Sequence, residues 1–192
     1  MDNKIVVLCA KSSAGKDSLA KLLQEREGYN FVVSHTTRPP RVNEVEGNPY
    51  YFIDNNDKFK EMADNNEFIE YRTYHTLFKG EAKTYYYGVH KNQIKENEKY
   101  VVVLDPHGLN EFKKFFGSRV ISFYITVLDG KREERAMSRG SFDATEWIRR
   151  LEDDDRVFTQ LTFLSNIDYI RNNNSESIED CYDKILNKLK GE

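Results

Sequence analysis

The sequence predicts an α/β fold with a parallel core sheet and helices on both faces. Short apolar runs alternate with amphipathic stretches along most of the chain, the pattern of repeated strand–helix units. The first run, Ile5 to Ala10, is continuous, rich in β-branched residues and followed by a small-residue loop and a helical pattern. At 192 residues with 39% apolar content, 12 Phe and 12 Tyr, the chain has the bulk for one domain with subdomain inserts.

Each element has its own signal. Lys16 to Arg26 carries helical periodicity through Leu19, Leu22 and Leu23. Phe31-Val32-Val33 reads as a second short strand. Tyr50 to Ile53 and Glu67 to Tyr71 read as exposed strands, with a polar helix from Asp57 to Ala63 between them. Tyr85 to Val89 adds a further strand. Lys99 to Leu104 is a buried strand, followed by Asp105 and a turn at Gly108. Arg119 to Ile125 is another buried strand. Asp129 to Ser138 and Asp143 to Leu164 read as helices broken at Gly140; Ile167 to Ile170 is a weak strand and Ile178 to Leu189 a closing amphipathic helix. Sites in such sheets form at the carboxyl ends of strands, and Gly15, Ser34 and Asp105 all follow strand ends.

Two segments are built to hold anions. In Ser34-His35-Thr36-Thr37-Arg38-Pro39-Pro40-Arg41, two arginines flank a pair of prolines. Each guanidinium is a rigid fork of donors suited to a phosphate, and proline limits the freedom lost on binding. Upstream, Lys11-Ser12-Ser13-Ala14-Gly15 joins the first strand to the first helix. That junction gathers backbone N–H groups and the positive helix end around one anion, with Lys16 reaching the β- and γ-phosphates of a nucleotide. Two such cradles fit a protein that handles two phosphorylated molecules at once.

The loop departs from the G-x-x-x-x-G-K-[ST] pattern. Ala10 stands at the first glycine and Asp17 at the metal-binding hydroxyl. Asp17 has two readings: an oxygen ligand for Mg²⁺, direct or through water, or an acid favoured in a helix's first turn. Ser18 supplies a hydroxyl nearby. An ordinary loop-to-helix junction at Gly15-Lys16 is the plain alternative.

Composition excludes several classes. A net charge of −3 gives no bias towards nucleic acid or anionic membrane, and the basic residues cluster locally, as small anionic ligands require. Cys9 and Cys181 lie in different elements, with no metal or disulfide spacing; free thiols fit a reducing, cytoplasmic setting. The N-terminal apolar run ends at Lys11, too short for a signal sequence or a membrane span.

In order, KIVVLCAKSSAGKDSLAKLL, SHTTRPPR, EGNPYYF, FIEY, YYGV, VVVLDPHG, RAMSRG…RRL and IDYIRNNN cover nearly the whole chain, and together they resemble the guanylate kinase family. The resemblance implies a P-loop nucleoside monophosphate kinase: a parallel core sheet (1–33, 91–128 and 157–192), a small GMP-binding α+β insert (34–90) and a helical lid (129–156). It implies ATP as donor, GMP or dGMP as acceptor, Mg²⁺ as cofactor, and a cytoplasmic monomer or weak dimer.

The resemblance also assigns roles to residues. Ser12, Ser13, Ala14, Gly15, Lys16, Asp17 and Ser18 would bind ATP, with Asp17 and Ser18 towards Mg²⁺. Ser34, Arg38, Arg41, Tyr50 and Tyr87 would hold the GMP phosphate, and Glu70 and Asp105 the guanine edge. Arg135 and Arg150 would touch the transferring phosphates, Arg139 the ATP phosphates and adenine, and Asn173 the adenine. Lys16, Arg38, Arg135 and Arg150 would carry catalysis. Read alone, Tyr50 and Tyr87 are equally core aromatics, Glu70 a solvated strand face, and the arginines a charged helix face. Val89 stands where the family has a hydroxyl and Val103 where it has an acid, which predicts a weaker grip on guanine. Two other readings remain: a kinase of the same fold for another nucleotide or a sugar phosphate, and a phosphopeptide-binding module without turnover.

Overall fold

A computed structural model of the chain describes residues 3–40, 44–78, 81–138, 142–159, 167–173 and 176–191. It opens with β1 (Ile5–Ala10), α1 (Lys16–Glu27) and β2 (Asn30–Phe31). Next come β3 (His35–Thr36), β4 (Val45–Glu46), β5 (Pro49–Phe52), α2 (Asn56–Asp64), β6 (Phe68–Phe78) and β7 (Glu81–His90). The chain closes with β8 (Tyr100–Leu104), α3 (Pro106–Phe116), β9 (Val120–Thr126), α4 (Asp129–Met137), α5 (Ala144–Phe158), β10 (Asp168–Arg171) and α6 (Ile178–Lys190). These elements form two compact units, residues 1–31 with 99–192, and residues 32–98.

The first unit holds a parallel five-stranded sheet in the order β10-β9-β1-β8-β2. β1 is central and buried at every position, which its unbroken apolar run requires. Leu8 lies beside Val103 on one side and Phe123 on the other. Leu19 and Leu23 of α1 and Ile185 and Leu189 of α6 complete a core with Val6, Leu8, Phe123 and Ile125. Gly28 and Gly191 end those two helices in the left-handed conformation that glycine adopts without a Cβ clash. Among the described residues no helix is long and apolar enough to cross a membrane.

The second unit holds a mixed sheet in the order β4-β5-β3-β7-β6. β6 and β7 pair antiparallel along almost their whole length, with Glu70 opposite Val89 and Arg72 opposite Tyr87. Its core is aromatic: Phe59 of α2 stacks on Phe68 at 4.4 Å and on Tyr86 at 5.2 Å between ring centres.

Three expectations are corrected. The turn at Gly108 is instead inside α3, because Asp105 caps the helix by accepting the Gly108 N–H at 2.7 Å and Pro106 fits its first turn. Leu109 and Phe112 then bury one face of it. Of the strand expected at Phe31-Val32-Val33, only Phe31 lies in a strand, the end of β2; Val32 and Val33 lie in none, and β3 starts at His35 in the other sheet. The strand expected over Glu67 to Tyr71 as exposed runs on to Phe78, and its Phe68, Ile69 and Glu70 are buried. Of the helix expected over Asp143 to Leu164, α5 covers Ala144–Phe158 and residues 160–166 lie outside the described residues.

Gly88 shows how tightly the second unit is packed. A Cβ there would meet Tyr71 Cβ at 2.9 Å, the Glu70 carbonyl at 3.0 Å and Phe59 Cζ at 3.1 Å. Gly88→Ala is expected to lower the unfolding free energy by about 1–3 kcal/mol. Gly130→Ala, in helix α4 with nothing within 4 Å, should leave stability equal or slightly raised. Urea titration of both variants checks the contrast.

His35 gives a pH dependence. Its ring packs against Tyr51, His90 and Phe68. Burial, and then the neighbouring His90, push its pKa down from 6.5 to about 4. The unfolded chain therefore binds this proton at higher pH than the folded one does. Stability from this group is complete above about pH 6.5 and declines as pH falls towards 4. Allowing for its partial exposure, about 1–2 kcal/mol is expected to be lost across that window. Melting of His35→Asn between pH 4 and 7 should show a flatter profile than the parent.

Candidate active site

One candidate anion site, within the first unit, is the turn from β1 into α1. Ser13 adopts φ 60° and Gly15 φ 94°, so the backbone reverses its hand twice before the helix. Only glycine fits at position 15: a Cβ would lie 2.8 Å from Asn172 Nδ2. Ser13 has a Cβ and still takes the left-handed conformation while buried, a state that costs about 1–3 kcal/mol and persists only where neighbours enforce it. The result is a concave backbone at a helix N-terminus, the arrangement that receives anions.

Side chains from behind hold that shape. Asn172, buried just after β10, donates to the Ala14 carbonyl at 3.0 Å. Arg135 on α4 donates to the same carbonyl at 3.4 Å and to the Asn172 carbonyl and side-chain oxygen, each at 3.1 Å. Arg135 thus sits against the loop, its charge beside the anion position. Lys16 is the first residue of α1, with Nζ 3.5 Å from the Asp17 carboxylate. Asp17 and Ser18 are exposed in the helix's first turn.

The remaining residues of this unit take different places. Arg150 donates through Nε to Glu146 at 2.8 Å on α5. Glu146 also binds Arg149, and the hydrogen bonds from Arg149 and Arg150 outweigh burial and hold its carboxyl down to about 2. Asn173 is half-buried and its Oδ1 accepts the Leu128 N–H at 3.1 Å, closing the turn between β9 and α4. Asn172, not its neighbour, is the asparagine that touches the loop. Arg139 lies outside the described residues. Asp105, as cap of α3, stands at the carboxyl end of β8 in this unit.

The other candidate anion site lies within the unit of residues 32–98. Thr36 and Thr37 fasten the segment to β7: Thr36 Oγ1 donates to the Tyr86 carbonyl at 2.9 Å, and Thr37 Oγ1 accepts the Tyr86 N–H at 3.0 Å. Thr36 Oγ1 also accepts the Arg38 N–H at 3.1 Å, which fixes where the arginine leaves the backbone. The Arg38 side chain is buried, donates to both Glu44 oxygens at 3.1 and 2.8 Å and to the Pro39 carbonyl at 2.8 Å, and lies 5.4 Å over the Tyr50 ring. Tyr50 meets Tyr87 edge to face at 5.5 Å, and Tyr87 hydrogen-bonds Arg38. The structure therefore brings Arg38, Tyr50 and Tyr87 together around one cation. Ser34 is near the start of the same segment, its carbonyl accepting the Tyr51 N–H at 3.0 Å. Glu70 is buried on β6, opposite the fully buried Val89. Arg41 lies outside the described residues.

Sequence reasoning missed Glu44, Asn172, Arg132 and Asp154. Glu44 carried a signal, an acid six residues beyond Arg38. The others are chosen by tertiary packing alone. Among the described residues no group of three or more His, Cys, Asp or Glu forms a metal cage.

The guanylate kinase family model matches residues 2–190. Curated guanylate kinases similar to the chain include one from Thermotoga maritima, 28% identical over all of this chain and 88% of that protein. Another, from Trichodesmium erythraeum, is 32% identical over 95% of each. Among solved structures, a guanylate kinase from Anaplasma phagocytophilum aligns with a TM-score of 0.62 at 25% identity, over 99% of this chain and 86% of that one. With the match running from residue 2 to residue 190, through both the loop at Gly15 and the Arg38 segment, the chain belongs to the guanylate kinase family.

Proposed function

We propose that the chain carries out its family's reaction, ATP-dependent phosphorylation of GMP or dGMP, through the residues assigned below. The observation that carries the reading is the pair of anion sites: the loop at Ser13–Lys16 and the Arg38–Tyr50–Tyr87 cluster. A phosphate oxygen of GMP attacks the γ-phosphorus in line. The new O–P bond forms as the bond to the β–γ bridging oxygen breaks, and ADP leaves with that electron pair. No covalent residue is needed, because positioning and charge neutralisation lower the barrier.

The loop and Lys16 bind the ATP phosphates, together with Ser13, Asp17 and Ser18; Ser12, expected among these ligands, instead gives its N–H and hydroxyl to Asp154 and shapes the loop from behind. Arg38, Arg41, Ser34, Tyr50 and Tyr87 hold the GMP phosphate. Tyrosine hydroxyls donate there without adding charge. Glu70 accepts from guanine N1 and N2, with Asp105 on the same edge. Arg135, Arg139 and Arg150 neutralise the charge spread over the transferring group. Residues 129–156 act as the lid over it and 34–90 as the GMP-binding insert, and their closure excludes water. Asn173 stands near the adenine.

Asp17 and Ser18 fit Mg²⁺, since both offer exposed oxygens in the first turn of α1, and this ion is commonly held by one or two protein oxygens together with substrate phosphates. Bound there, it supplies charge neutralisation at the β- and γ-phosphates. The same reading makes the protein a cytoplasmic monomer or weak dimer, acting on small nucleotides rather than nucleic acid or membranes.

Lys16→Met is expected to lower turnover by about 10²–10³-fold, measured as ADP release from ATP·Mg²⁺ with GMP; unchanged turnover would mean the loop is wrongly assigned. Base selectivity is a separate matter. With Val89 fully buried opposite Glu70, no side-chain hydroxyl at that position reaches the base. One such lost contact is worth about 0.5–1.5 kcal/mol. The kcat/KM ratio of GMP over AMP, CMP, UMP and dTMP should therefore stay below about 10⁴, the discrimination a fully hydrogen-bonded site reaches. A higher ratio would show that other groups compensate.

A further inference from the structure

Two buried charges with no role in the assignments above converge on one residue of the phosphate loop. Arg132 on α4 is fully buried, and Asp154 on α5 is 9% exposed. Asp154 Oδ2 accepts the Ser12 backbone N–H at 2.8 Å, and its Oδ1 accepts the Ser12 hydroxyl at 3.4 Å. Arg132 Nη1 donates to the Ser12 carbonyl at 3.2 Å and to Asp154 Oδ2 at 2.7 Å. Asp129 Oδ1 takes the other side of the guanidinium, from Nε at 3.1 Å and Nη2 at 2.8 Å, and the Trp147 ring lies 5.8 Å from it. The N–H, carbonyl and hydroxyl of Ser12 are all held.

Stability alone is a poor account of this arrangement. A buried ion pair rarely stabilises a fold more than apolar side chains of similar volume would. Its position is more informative. The residue after Ser12 is Ser13, whose φ of 60° a side chain adopts only under constraint. That reversal, with Gly15 at φ 94°, creates the concave run of N–H groups. Constraint on Ser12 therefore acts directly on the shape of the anion site.

We propose that Arg132 and Asp154 are positioning residues for ATP: by clamping Ser12 they hold Ser13 in its left-handed conformation and keep the loop in its anion-binding shape. The proposal rests on the reading of this loop as the ATP site. It also ties the roots of α4 and α5 to nucleotide affinity, because the clamp is made of their side chains.

Asp154→Asn keeps the side-chain volume and removes the charge. It is expected to raise KM for ATP by about tenfold or more, the loss of a charge-assisted hydrogen bond, with KM for GMP and kcat changed by no more than about twofold. Arg132→Lys keeps the charge but loses the fork, and should give the same selective loss. Calorimetric binding of a non-hydrolysable ATP analogue should weaken by the same factor. That arm needs no phosphoryl acceptor, so it stands whether or not GMP is the substrate. The deciding variant is Ser13→Gly, because glycine takes the left-handed conformation without help. Added to Asp154→Asn, it should return ATP affinity to that of Ser13→Gly alone. Unchanged ATP affinity in Asp154→Asn and Arg132→Lys, equal losses for ATP and GMP, or a defect that Ser13→Gly leaves intact would overturn the proposal. Wild-type protein that binds the analogue but turns over no GMP would remove the substrate reading and leave the clamp standing.

Discussion

The backbone reversal between β1 and α1 is the constraint on which the rest of the first unit depends. A central parallel strand must end, turn and deliver a helix N-terminus within five residues, Lys11 to Gly15. Two of those residues take positive φ, Gly15 without steric cost and Ser13 at a cost. The turn is stable because carbonyls and N–H groups on its outer side are taken by Asn172, Arg135, Arg132 and Asp154. These come from three separate stretches that follow β9 and β10, so the parallel sheet is what brings them to one place. The loop is thereby held concave at a helix N-terminus, the shape on which the proposed anion site rests.

The second unit reaches an anion site by a different route. Here the cation is a side chain, and the fold's task is to keep it from moving. Thr36 and Thr37 pin the backbone to β7, and Tyr50 and Tyr87 flank the guanidinium. Glu44 holds its Nη2 with both oxygens. Burial works against the charge of Arg38, but the Glu44 and Tyr87 hydrogen bonds outweigh it and raise its pKa. Such a fork loses little conformational freedom when a phosphate arrives, which is where pre-organised sites gain affinity. Glu44 compensates the Arg38 charge, so on the proposed reading a phosphate would share or replace one carboxylate rather than neutralise a bare cation.

Much of this was legible in the sequence because it rests on local chemistry. The β1 run, the Gly15-Lys16 junction, the Thr-Thr-Arg-Pro-Pro segment and the helical stripes of α1, α4 and α6 all declare themselves within a few residues. The failures are equally physical. Gly108 reads as a turn in the sequence, yet the Asp105-Pro106 pair is a helix start, and a capped first turn tolerates the glycine. Glu70 reads as lying on an exposed strand because a local pattern does not show the pairing of β6 with β7, where it lies opposite Val89 and is buried. Arg132 and Asp154 carry no pattern at all, since an arginine and an aspartate on two charged helices look like solvated surface until the helices are placed.

Arg132 also anchors α4 against the loop. At the root of α4 a fully buried guanidinium is fixed by Asp129, Asp154 and the loop carbonyl. One turn further on, Arg135 is half-buried and bonds Ala14 and Asn172. By Met137 the side chain is 52% exposed. Across these three positions the side chains pass from buried to exposed as α4 runs on from the phosphate loop. Local opening has a free-energy cost that follows buried contacts, so motion is cheapest at the far end and most costly at the root. On the proposed reading of 129–156 as a lid, its far end would close over a substrate while Arg132 and Asp154 keep the loop in shape.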